Sequence, residues 1–396
     1  MKQTLFITFL LSICISCSEP QVNVMADGLL PQIISSPISK DLKENGFEIT
    51  EIKEGNETPL AYQLDGDHVL WKLKPNKNST VGIRLKKQKN KVSSEMMIKK
   101  EDGHLSILYG GKKLMDYQYE LIDVPDGVDH SYRRSGYIHP LNTPSEQRLT
   151  RIQPEDHYHH YGIWNPWTHT LVEGDTIDFW NLNKKEGTVR FAKFLEEKSG
   201  PIFSEYSALQ EHVVLKNNVN KVVLNEIQKV RVTPLDNTHY LLDIVIDYEC
   251  ANDQPFKIIT YRYGGFGWRT TEFWNNKNSR VLSSEGMTHK NADGTTARWC
   301  IVDGKLPEGK GGAVMMSHPD NFNHPEPLRI WPENQYGRGD LFANFAPTKN
   351  KDWLLEPGKK YTLRYRMLVY DGEMTPDIAD WAWKEFANPR NQIIEN

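Results

Sequence analysis

The segment His239-Tyr240-Leu241-Leu242-Asp243-Ile244-Val245-Ile246-Asp247-Tyr248-Glu249 decides how this chain is read. Within it Leu242, Ile244, Ile246 and Tyr248 fall on one side of an extended backbone, and Asp243 and Asp247 on the other. Successive side chains of a strand point to opposite faces, so this is a strand with one face in a core and one polar face, the pattern of an antiparallel sheet. Working outward, residues 220–233, 257–263 and 361–370 carry similar runs bounded by turn residues, and each predicts a strand. Helical periodicity is scarce. The one helix predicted runs from Asp377 to Ala387, with Pro376 near its start and Ile378, Trp381, Ala382 and Glu385 on adjacent turns. With no internal repeat or low-complexity run, the expected fold is all-β: a large antiparallel β-sandwich closed by a short C-terminal helix, one domain over 46–396. The alternative is a boundary near residue 100.

Residues 1–16 read as a signal peptide, with Lys2 at the charged end and a short apolar run from Leu5 to Ile13, too short to span a bilayer. The run ends in Ile15-Ser16-Cys17, which resembles a bacterial lipoprotein cleavage box, so Cys17 is the expected lipidation site. Residues 17–45, polar and proline-containing, read as anchor and tether. An exported chain of this kind sits in the periplasm or on the outer membrane. Cys250 and Cys300 then form either one disulfide or two buried thiols, and neither lies in a thiolate metal motif. A net charge of −4 favours neither nucleic acid nor a polybasic membrane surface. The 11 Trp, 17 Tyr and 14 Phe suit both a sandwich core and sugar stacking.

Three polar clusters stand out. Asp156-His157-Tyr158-His159-His160-Tyr161-Gly162-Ile163-Trp164 packs three of the chain's 13 histidines into four positions; an extended backbone would aim His157 and His159 one way and His160 the other. Tyr132, Arg133, Arg134, Tyr137 and His139, followed by Arg148 and Arg151, offer phenols and guanidiniums suited to an anion. The loop Ser317-His318-Pro319-Asp320-Asn321-Phe322-Asn323-His324-Pro325 exposes polar side chains between prolines. Arg298 beside Trp299, and Arg262 and Glu272, are further candidates. Each cluster also has an ordinary reading, as histidines satisfying backbone carbonyls, surface arginines, or a rigid turn.

Gly136-Tyr137-Ile138-His139-Pro140, Thr150-Arg151, the 156–164 run, Asp178-Phe179-Trp180, Ala297-Arg298-Trp299, Ser317-His318-Pro319-Asp320-Asn321, Tyr365-Arg366 and Asp371-Gly372 follow in the order of the motifs of the PmoA-like family, which this chain resembles over about residues 100 to 372. It departs from that pattern at Tyr161, where the family often has arginine. The family takes its name from methane oxygenase, but methane chemistry needs a membrane-embedded copper enzyme. The resemblance implies instead a mutarotase-like supersandwich acting on carbohydrate. It is greatest to the lipoprotein-type members that dehydrate the non-reducing-end uronic acid of ulvan oligosaccharides, leaving a 4,5-unsaturated ring. The expected partner is thus an acidic or sulfated oligosaccharide, with no protein partner, cofactor or metal.

Such an elimination needs a base at C5, an acid for the departing C4 hydroxyl, and cations for the carboxylate. His157 or His159 is the expected base and Tyr137 or His318 the proton donor. Arg151 and Arg298 would clamp the carboxylate or a neighbouring sulfate, Trp164 would stack on a ring, and His139, His160, Asn321 and His324 would line the substrate. Three other readings compete: a glycoside hydrolase using carboxylates among Asp156, Asp178 and Glu272; a metal enzyme with His157, His159 and a third ligand such as His318; and a surface glycan-binding lipoprotein. The dehydration reading requires imidazoles, guanidiniums and a phenol from distant stretches to converge in one pocket able to hold an acidic sugar, with the 157–160 segment and the 318–324 loop on the same side of the molecule.

Overall fold

A computed structural model describes residues 21–75, 80–86, 93–216 and 220–389. Two eight-stranded antiparallel sheets face one another. One is built from long strands, in the order Gly187–Ser199, Ser204–Val214, Lys221–Pro234, His239–Cys250, Tyr361–Asp371, Lys310–Ser317, Trp299–Lys305 and Ser279–Ser283. The other, called the site sheet below, runs Leu328–Ile330, Phe342–Phe345, Gly267–Arg269, Ile163–Trp164, Tyr137–Leu141, Lys112–Gln118, His104–Tyr109 and Met96–Glu101. The chain therefore forms the expected large antiparallel sandwich.

The alternation read at 242–248 is what closes the two sheets on each other. Leu242, Ile244, Ile246 and Tyr248 are buried between them with Leu363, Tyr365 and Met367 of the neighbouring strand, and the Phe266 ring of the opposite layer stacks 4.4 Å from that of Tyr365. Asp243 points outward and pairs with Arg366, its register partner, at 2.5 Å. A four-stranded sheet of Asp175–Ile177, Thr170–Val172, Phe256–Ile258 and Trp353–Leu355 closes one end of this core. The strand expected over 257–263 stops at Ile258. There Asp352 takes the Thr260 amide, and positive φ at Gly264 and Gly265 turns the chain away.

The C-terminal helix, Pro376–Ala387, is capped by Thr375 and covers the outer face of the long-strand sheet, burying Trp299, Ile301, Met316, Leu368 and Tyr370. The leader and Cys17 lie outside the described residues. The expected tether proves ordered from Gln21 onward, with strands Gln21–Met25 and Gln32–Pro37 and the helix Lys40–Asn45. Val24, Ile34 and Leu42 pack there with Trp71 and Ile83 in a second core. That two-sheet unit ends at Lys86, and the sandwich begins at Met96. Cys250 and Cys300 are both free thiols, and burial pushes the latter up to about 12. Among the described residues no helix is long and apolar enough to cross a membrane.

Candidate functional site

The site rests on the outer face of the site sheet. Ile138, Ile163, Trp268, Leu328, Ile330 and Ala343 point inward to the sandwich core, so their neighbours Tyr137, Trp164, Arg269, Arg329, Trp331 and Phe342 stand on the other side. There Tyr137, Tyr161, Trp164, Trp180, Trp331 and Phe342 form a separate aromatic cluster. Residues 154–160 fold over it as two turns, closed by His157 N–H donating to Pro154 C=O and His160 N–H to His157 C=O, each at 2.8 to 2.9 Å. This is not the extended backbone expected. Turns abolish the two-residue period, so all three imidazoles converge: ring centroids are 5.4 Å (His157–His159), 4.7 Å (His157–His160) and 4.8 Å (His159–His160) apart. They open on a polar cavity of about 140 Å³ walled by Arg262, Tyr263, Arg329, Trp331 and Tyr336.

Beside the histidines lies a charge network. Asp340 accepts from Arg151 at 2.9 Å and from Arg269 at 2.7 Å, with Arg338 at 3.1 Å. Arg338 also pairs with Asp156, whose carboxylate lies 2.8 Å from His157 Nδ1. Arg269 is fully buried, lies 4.5 Å from the Trp331 ring centre, and leaves Nε and Nη1 without a partner. Three guanidiniums against two carboxylates leave a net positive charge. Burial holds all three imidazoles below their ordinary range, His159 down to about 4 and His160 furthest, so they are neutral at pH 7. Burial also pushes the Tyr263 phenol up to about 12, which keeps its proton in place.

Residues 104–384 match the family described as "Family of unknown function (DUF6807)". The chain belongs to that family. No curated protein matches this DUF6807 chain. Among solved structures it is similar to the heparan sulfate lyase HepC mutant from Pedobacter heparinus, with a TM-score of 0.30 and 8% identity, over 73% of this chain and 38% of that one. The chain thus spans well under half the length of that lyase, a likeness too slight to carry an argument. Neither description names the PmoA-like family.

In this DUF6807 chain the expected site residues divide into two groups on opposite faces of the sandwich. His157, His159, His160 and Arg151 meet as described. Tyr137 and Trp164 lie beneath them but are buried, so Tyr137 has no path to a leaving group and Trp164 cannot serve as a sugar platform. His139 is half-buried, its Nδ1 2.9 Å from Thr150 Oγ1, and burial lowers it to about 4. The second group packs against the C-terminal helix. His318 meets Phe386, His324 stacks on Trp383, Arg298 pairs with Asp380 at 3.1 Å, and Asn321 binds the Arg364 backbone and Glu326. The helix covers the outer face of the long-strand sheet, with both sheets between it and the histidines. His318, His324, Asn321 and Arg298 are therefore withdrawn from the histidine site, as proton donor, metal ligand or clamp.

The carboxylates of the hydrolase reading are engaged as well. Asp178 accepts from the Trp180 and Asn181 amides, Asp156 pairs with Arg338, and Glu272 pairs with Arg148. No Asp or Glu is among the described residues lining the cavity. Sequence reasoning missed Arg269, Arg329, Trp331, Tyr336 and Asp340. The available signal was Arg269, a charge directly after the strand-like Gly267-Trp268, though nothing there says which face it takes.

Proposed function

We propose, on residues of the histidine face alone and without the 318–324 loop that the sequence reading requires, that this chain is a lyase of polysaccharide breakdown that dehydrates the terminal uronic acid of an acidic oligosaccharide, of the ulvan type that the PmoA-like resemblance implies. One observation carries the reading: three neutral imidazoles converge on a small polar cavity whose wall and surroundings are cationic. A neutral imidazole accepts the C5 proton, and His157, the most open of the trio with Asp156 at its Nδ1, is placed for this ahead of His159. Arg262 and Arg329 on the wall face the uronate carboxylate, backed by Arg269 and Arg151. Tyr263 keeps its proton and supplies it to the departing C4 oxygen, while exposed Tyr336 offers the ring that Trp164 cannot. At about 140 Å³ the cavity is well below the ~300–1,000 Å³ of sites for larger ligands, which suits one chain-end sugar. The cellular setting belongs to the same proposal: a lipid anchor at Cys17 holding the domain in the periplasm or on the outer membrane.

The test is incubation with saturated uronate-ended oligosaccharides while following absorbance at about 235 nm, where the conjugated enol carboxylate formed by the elimination absorbs. A steady rise is expected. Binding with no rise would replace the enzyme reading by a glycan-binding lipoprotein.

A further inference from the structure

We propose that His157, His159 and His160 form a seat for one divalent transition-metal ion of the zinc class. One ring nitrogen from each histidine can be chosen so that all three lie within 4.8 Å of one another. Tetrahedral ligation at ~2.1 Å places nitrogens ~3.4 Å apart, so small ring movements close the set. Three protein ligands with a fourth position open to the cavity is the arrangement of a catalytic rather than a structural ion. His160 Nδ1 is buried with no hydrogen bond, and Asp156 at 2.8 Å from His157 Nδ1 leaves the other nitrogen of that ring, Nε2, for an ion. A water molecule donates only two hydrogen bonds and would leave the third lone pair unmet, whereas a Lewis acid satisfies all three. An all-imidazole set without carboxylate selects against magnesium and calcium. Asp156, beside His157, occupies the outer position from which carboxylates orient metal-bound histidines.

The surrounding charge, with Arg262 and Arg329 on the wall, is net positive and lowers the affinity for a cation, but most of the guanidiniums are paired. Arg151 and Arg269 are bound to Asp340, and Arg338 to Asp156 and Asp340. Cation and guanidiniums together would form an anion trap at the mouth of the cavity. The inference does not rest on the dehydration reading, because metal binding is read without sugar. The two draw on the same lone pairs, however: with the ion seated, the trio cannot accept the C5 proton.

The experiment uses the full chain, stripped with chelator and dialysed, then titrated with Zn²⁺ by calorimetry and with Co²⁺ by visible absorption. One equivalent binding at micromolar affinity or tighter, with the intense visible bands of four-coordinate cobalt, is expected. His157→Gln and His159→Gln should each weaken binding by at least about a hundredfold, and His318→Gln, on the other face, should leave it unchanged. If either trio variant fails to fold, the wild-type cobalt spectrum decides: the spectrum of the hydrated ion overturns the seat. Failure of Zn²⁺ to bind, or wild-type affinity in His159→Gln, overturns it too. Absorbance at about 235 nm, followed on stripped and loaded protein, separates the two proposals. Elimination by stripped protein upholds the imidazole base whatever the titration shows, and elimination by neither form removes the dehydration reading while a measured metal affinity stands.

Discussion

Burial disfavours the charged form of an imidazole more than the neighbouring Asp156 favours it, and three such neutral rings at one place give the chain its chemical character. Replacing His157 or His159 with Ala should lower kcat for uronate elimination by at least about a hundredfold with the circular dichroism spectrum unchanged. A near wild-type rate in both variants would take the trio out of the reaction. His139 is outside the cavity and offers a cleaner titration. Burial sets its folded value at about 4, against an ordinary 6.5, so between those pH values the unfolded chain binds a proton that the folded chain refuses. Its contribution is complete above pH 6.5 and is lost as pH falls toward 4. The stability of His139→Gln should accordingly depend less steeply on pH in that window, by up to ~1.4 kcal/mol per pH unit, and denaturant melts at several pH values measure the difference. Parallel slopes would mean that the His139 ring is solvated in the folded state.

At the scale of elements, the turn over 154–160 is held in register by Gly162. Its φ is +50°, its amide donates to Arg151 C=O at 3.0 Å, and its carbonyl accepts from the Arg269 amide at 2.8 Å. A Cβ there would lie 2.2 Å from the Ile138 carbonyl oxygen, a backbone atom that cannot step aside without breaking the sheet. Gly162→Ala should therefore cost about 3 kcal/mol or more in chemical denaturation and should disturb the histidines along with Arg151. A loss below ~1 kcal/mol would show that the strand slides freely. The same segment shows what a sequence discloses. The strands 221–234, 239–250 and 361–371 were legible because one face of each is buried and the two-residue period survives in the residues. The helix from Pro376 was legible from its proline and its apolar spacing. The histidine turn was not, since period-two reasoning separates His160 from its partners and only hydrogen bonds within the turn reunite them. Residues 21–45 give a wrong expectation for a related reason: Val24, Ile34 and Leu42 lie in short apolar runs broken by polar residues and prolines, and gain meaning only against Trp71 and Ile83, tens of residues away.

For the whole molecule the deciding fact is that a sandwich has two outer faces. Residue chemistry drew the 157–160 and 318–324 segments to one imagined pocket, because histidines and arginines in each suit an acidic sugar. Pairing of strands sends them apart. Ser317 ends a strand of the long-strand sheet, the following loop crosses to the site sheet at Leu328, and His318 and His324 remain on the helix side with Phe386 and Trp383. No local period carries that information, since it depends on which of many strands lies beside which. The separation makes a prediction about coupling. Residues far apart with no shared partner act additively, whereas members of one site do not. His318→Ala and Arg298→Ala should leave the elimination rate within about twofold of wild type while loosening the C-terminal helix, with a lower melting temperature as the sign. Combined with His159→Ala, either should change stability by the sum of the single effects and the rate by no more than His159→Ala alone. If His318→Ala by itself cost a hundredfold in kcat, the helix face would have to take part in the chemistry, and the two-faced arrangement could not be the working form of the protein.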